Sequence, residues 1–112
     1  MAIFKINESG IGSILVEALV PVGRTYRLVS VELVVDVAPT TAESYTITLD
    51  AGAGSAHDAT LYSRDLAAVS ATTLIWWPDA EMYLHGGDCI DVAYANTDAR
   101  TWGVAVVFEE VN

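Results

Sequence analysis

Cys89 is the one cysteine in a chain of 112 residues, so no disulfide can close within it. The two histidines, His57 and His85, add little to the stock of metal ligands, and a structural zinc site needs more Cys and His than these, closely spaced. Basic residues are scarce as well. Five Lys and Arg stand against 15 Asp and Glu, for a net charge of -10, which repels a bare phosphate backbone and excludes direct nucleic-acid binding. Long apolar runs are missing too. The longest uncharged segment, residues 66–78, is broken by Ser70, Thr72 and Thr73 and falls short of the roughly 18 apolar residues of a membrane span. The opening "MAIFKINESG" has Lys5, Asn7 and Glu8 where the apolar part of a secretory signal belongs, so secretion by that route is not expected.

What is present is apolar. Hydrophobic residues make up 53% of the chain and the mean hydropathy is +0.39, high for a small domain with much surface to keep wet. Their spacing is that of strands. In "YRLVSVELVVDV", Val29, Val31, Leu33, Val35 and Val37 fall on one face and Leu28, Ser30, Glu32, Val34 and Asp36 on the other. "YTITLD" repeats the alternation with Tyr45, Ile47 and Leu49 inward, and "TWGVAVVFEEV" with Trp102, Val104, Val106 and Phe108 inward. "DCIDVAYA" places Ile90, Val92 and Tyr94 together, and "NTDAR" reads as a hairpin loop that pairs this strand with the last one. "IGSILVEALV" fits strand or helix and is read as a strand like its neighbours, "TLYSRDL" is a strand or one irregular turn, and "AGAGSAHDA" is a surface loop. Turn signals at short spacing and no amphipathic helix predict a single all-β domain over 1–112, an antiparallel β-sandwich or jelly roll of about seven to eight strands. Residues 1–11 alternate poorly and are expected as an extended N-terminal arm.

Few residues offer chemistry. Cys89 lies four residues after His85, a spacing open to a thiol nucleophile, but it sits in an apolar strand where a free cysteine acts as a small hydrophobe. His57-Asp58 reads as a polar loop tip, and "GAGSAHD" lacks the Lys-Ser or Lys-Thr ending of a phosphate-binding loop. Asp50, Asp58, Asp65, Asp79, Asp88 and Asp98 could converge on calcium, but none forms a dedicated calcium loop, and Asp favours turns in any case. Trp76, Trp77, Trp102 and Tyr83 could stack on sugar rings, which keeps a glycan-binding module of a phage tail or adhesin as the alternative function. No enzymatic activity and no cofactor are expected.

The adjacent pair Trp76-Trp77 sharpens the argument, because neighbours on a strand point to opposite faces. One indole enters the core and the other must be covered by something else. Leu28 and Val34 show the same two-sided character, so the outward face is expected to be buried against another chain.

The segments "APTTAESYTITLDAGAGSAHDATLYSRDLA" and "LIWWPDAEMYLHGGDCIDVAYANTDARTWGVAVVFE", above all "GGDCIDVAYANTDARTWGV", resemble small β-rich virion proteins of tailed bacteriophages that decorate or cement the capsid. The resemblance implies a non-enzymatic dimer or trimer on the capsid exterior that clamps the major capsid protein. Its contact residues are then expected to be Trp77, Leu28 and Val34, with Ile3, Phe4 and Ile6 of the arm.

Overall fold

A computed structural model describes residues 3–111, without the side chain of Phe4. Nine strands follow in order: β1 (Ile3–Gly10), β2 (Ile14–Leu19), β3 (Thr25–Val35), β4 (Ser44–Asp50), β5 (Ala59–Asp65), β6 (Thr73–Trp76), β7 (Tyr83–His85), β8 (Cys89–Tyr94) and β9 (Trp102–Val111). A four-residue helix, α1 (Leu66–Val69), follows β5, where the Asp65 carboxylate accepts from Ala67 N–H.

The strands form two antiparallel sheets. One is ordered β1-β9-β3-β6 with β7 also on β3, and the other β2-β8-β4-β5. That order is the eight-stranded jelly roll with its sixth strand divided into β6 and β7. Both halves pair along the same edge of β3, β6 with Val31–Val34 and β7 with Thr25–Arg27. Between them the chain leaves the ladder at Trp77 and Pro78, since Pro cannot donate to it. This division accounts for nine strands where about seven to eight were expected.

The break faces a bulge. On its other edge β3 matches β9 at Leu28↔Phe108 and then Ser30↔Val107, so Val29 is an unmatched residue. Because a strand's side-chain period is two, one extra residue reverses the face of everything on one side of it. Tyr26 and Leu28 therefore point inward along with Val31, Leu33 and Val35, whereas Val29 is half-buried. The uniform alternation read from the sequence holds only from Val31 to Val35. Leu28, expected on the outward face, is 1% exposed and belongs to the core.

Two other expectations are corrected. β8 and β9 do not form a hairpin, because β8 pairs with β2 and β4 while β9 pairs with β1 and β3. The segment 95–101 carries the chain from one sheet to the other. Residues 3–10 are not a free arm but a full edge strand, matched to β9 from Ile3↔Glu109 to Gly10↔Trp102. Ile6 shares the inward face with Val106 and packs against the core, so it is not an outward contact residue. Residues 1 and 2 lie outside the described residues.

The core lies between the sheets. Val104, Val106 and Phe108 of β9 meet Val16, Ile90, Val92 and Ile47 of the opposite sheet, all in one buried cluster. At one end of the sandwich Asn96 holds three segments together. It adopts a left-handed backbone (φ 54), which Asn tolerates, and is 4% exposed. Its amide nitrogen donates to the carbonyls of Ile11, Gly12 and Arg100 at 2.8–3.0 Å, and its Oδ1 accepts from Arg100 N–H at 3.0 Å. Trp102 Nε1 donates to the same Gly12 carbonyl at 2.9 Å. Asn96→Ala strips those backbone groups of their partner and should cost about 2–3 kcal/mol. Urea denaturation should show a lower midpoint at unchanged m-value, and a midpoint within error of the parent would contradict this role for Asn96.

Candidate functional site

The two tryptophans part company as their positions require. Trp76, opposite Val31 in the ladder, turns inward and packs on Tyr62 at 6.1 Å between ring centroids; Tyr62 in turn meets Tyr45 at 6.2 Å. Trp77, the first residue past β6, stays 59% exposed. Val34 and Ile75 on the same outward face are 41% and 44% exposed, and Ile3 is exposed as well. The side chain of Phe4 lies outside the described residues.

Registers put this face in order. Ser9, Gly103, Val34 and Thr73 lie in one row across β1, β9, β3 and β6, and Asn7, Ala105, Glu32 and Ile75 in the next. With only Gly103 and Ala105 along β9, the centre of the face sinks into a groove of about 310 Å³ between Asn7 and Ser9 on one side and Glu32 and Val34 on the other. The segment 78–81 after Trp77 separates two clefts. One, of about 270 Å³, is lined by Arg27, Val29 and Trp77; the other, of about 470 Å³, by Leu61, Trp76, Met82 and Tyr83. Tyr83 donates to Glu81 at 2.8 Å, which pushes its phenol pKa up, and Arg27 donates to Glu109 at 3.1 Å, which raises that of the guanidinium. These bonds fix the rim of the face near Trp77.

The opposite face, on β2, β8 and β4, was not legible as exposed apolar surface. Ile14, Val16, Ala18 and Val20 are buried, which leaves Leu15 and Leu19 outward at 61% and 58% exposure. The signal was available in the strict period of two, but "ILVEALV" is apolar in both phases.

The residues considered for catalysis are not brought together. His57 lies in an exposed turn, His85 on β7 beside Thr25, and Cys89 on β8 in the other sheet. The Cys89 thiol is buried and donates to Asp91 at 3.1 Å; burial first, then that carboxylate, push its pKa up to about 12. A thiol so held yields little thiolate.

The aspartates serve as turn ties. Asp88 accepts from His85 N–H and Gly52 N–H, which lowers its pKa, and Asp58 accepts from Ala51 N–H. Asp98 accepts from the Thr41 hydroxyl and from the N–H groups of Thr41 and Thr40, and these bonds lower its pKa from 3.8 to about 2. No group of three or more His, Cys, Asp or Glu among the described residues is set to hold a metal ion. Of the aromatic residues considered for sugar stacking, Trp102 is 8% exposed and Trp76 half-buried, so Trp77 and Tyr83 remain at the surface. No helix among the described residues is long and apolar enough to cross a membrane.

Neither protein-family models nor curated proteins give a match to this chain.

Two measurements check this chemistry. Because Asp98 binds its proton more weakly when folded, its contribution to stability is complete above its ordinary pKa of 3.8 and fades as the pH falls towards about 2. The stability gap between the parent and Asp98→Asn should be open at pH 6 and close over that window; a gap constant with pH would contradict the assignment. With its pKa near 12, Cys89 should react with a thiol reagent at about pH 8 roughly a thousandfold more slowly than a free thiol, and at the ordinary rate once urea unfolds the chain.

Proposed function

We propose that the chain is a structural subunit of a virion, a small jelly-roll protein that self-associates and decorates or cements the capsid of a tailed bacteriophage from outside. The observation that carries this reading is Trp77, 59% exposed on the outward side of the five-stranded sheet and accompanied there by Val34 and Ile75. A Trp side chain offers about 150–250 Å², so covering the exposed part would contribute on the order of 3 kcal/mol at about 25 cal/mol per Å². A surface of this kind is worth most when another protein covers it. Two further features support self-association on this face. Among the acidic residues of this face, Glu32 and Glu109 on the strands, Glu8 at the groove and Asp79 and Glu81 beside Trp77, stand two cations, Lys5 and Arg27, which can meet the carboxylates of a second copy. The groove over Gly103 and Ala105 lets a partner's side chains approach the backbone.

Decoration then works by mass action. A subunit that binds the assembled lattice better than free capsid protein adds its binding free energy to the stability of the shell. Repetition across the shell multiplies modest contacts. The glycan-binding alternative draws on Trp77 and Tyr83 alone and has less surface behind it.

Light scattering should give the purified chain a mass of two or three times 12.0 kDa, and Trp77→Ser should shift it towards the monomer with its far-ultraviolet circular dichroism unchanged. Expressed together with its capsid protein, the parent should sediment with assembled shells and the Trp77→Ser variant should stay in the supernatant. A parent that is monomeric and does not sediment with shells would overturn the proposal.

A further inference from the structure

Charge is divided unevenly between the two outward faces. Both ion pairs among the described residues join β9 to β3 or to the residue just before it, Arg27 with Glu109 at 3.1 Å and Arg24 with Glu110 at 2.8 Å. The opposite sheet has no such balance. β2, β8 and β4 carry Glu17, Asp91 and Asp50 and no Lys or Arg. Arg64 on β5 is matched to Tyr45, whose ring lies in the core, so it sits on the other side of the pleat.

Glu17 stands directly opposite Asp91 in the β2–β8 ladder. Like charges at matched positions repel, and nothing on the face relieves them; the Asp91 carboxylate has the Cys89 thiol as a donor at 3.1 Å, a weak partner for a full negative charge. On β2 this pair is bracketed by Leu15 and Leu19, both more than half exposed. The face thus combines two outward leucines, one on each side of an uncompensated carboxylate pair, with Asp50 beside them on β4.

We infer that this face docks a basic, extended segment of a partner protein, whose Lys or Arg side chains neutralise Glu17, Asp91 and Asp50 while its apolar side chains cover Leu15 and Leu19. Charge complementarity selects that occupant. A second copy would bring the same carboxylates to this contact, where no Lys or Arg meets them, so self-association belongs to the sheet that carries Lys5 and Arg27 and the foreign partner to this one. The inference rests on the assembly reading and deepens it by giving each face its own occupant. It also explains why a repulsive pair is tolerated in the free protein, since binding is what relieves it.

The test uses the full chain and a short fluorescent peptide alternating Lys and Val, with a Glu-Val peptide as counterpart, read by anisotropy. The Lys-Val peptide should bind, and about tenfold less tightly when salt rises from about 50 to about 500 mM. The double variant Glu17→Gln/Asp91→Asn should lose about tenfold or more in affinity and melt a few degrees higher than the parent. A control with the same loss of charge elsewhere, Glu8→Gln/Asp79→Asn, should change affinity less than about twofold. Equal weakening by both double variants, or equal binding of the Glu-Val peptide, would overturn the inference. Light scattering on the same samples separates it from the assembly reading. A monomer that binds the basic peptide through Glu17 and Asp91 keeps this face and loses the oligomer, and an oligomer whose peptide binding ignores both residues does the reverse.

Discussion

Strand β3 runs for 11 residues between two neighbours, β9 on one edge and the divided pair β6 and β7 on the other, and Val29 is the residue left unmatched in its ladder with β9. That one residue sets the inward phase on both sides of the bulge. Tyr26 and Leu28 before it, and Val31, Leu33 and Val35 after it, can all reach the core only because the phase reverses between them. The break after Trp76 lies across from the same point. Bulge and break together release Trp77 from the ladder and turn it to solvent while Trp76, next to it, completes the aromatic row with Tyr62 and Tyr45.

At both ends of the sandwich the problem is different, because every connection except β4–β5 and β6–β7 crosses to the other sheet, and its polar backbone needs partners. Carboxylates and one amide supply them. Asn96, Asp98 and Glu43 bind the loops at one end to each other, Glu43 through Thr97, and Asp88 joins the turns at the other end. There Gly52 and Gly87 approach so closely that a Cβ on Gly52 would lie 2.8 Å from the Gly87 carbonyl carbon. Much of the acidic excess is therefore spent on architecture. Glu17, Asp91 and Asp50 are exceptions, as they lie on strand faces where no loop needs them.

How much of this the sequence revealed depended on the range of each interaction. Alternation in "YTITLD" and "TWGVAVVFEEV" assigned their inward residues correctly, and it placed Trp76 and Trp77 on opposite sides. Of the aspartates read as turn residues, Asp58, Asp88 and Asp98 tie turns, whereas Asp50 and Asp65 end strands β4 and β5, and Asn96 takes the left-handed backbone its type allows. The failures were of pairing. "LVSV" is apolar in either phase, so nothing local revealed the bulge that buries Leu28. The chemistry of "NTDAR" was that of a tight loop, but whether such a loop joins neighbours or spans two sheets is decided by distant strands. The polar look of "IFKINESG" likewise hid its match to β9. Of the exposed apolar residues, Trp77 and Val34 were expected at the surface in advance, whereas Leu15 and Leu19 needed the register of β2.

The divided sixth strand separates two kinds of freedom. Its matched pairs end at Trp76 and resume at Tyr83, with the Met82 carbonyl already accepting from Leu28 N–H, so residues 77–81 can lengthen, shorten or change composition without disturbing a matched pair on β3. Variation there alters the outline of the outward face while the pairings of β3 are untouched. The surface around Trp77 can drift on a scaffold that does not have to follow it.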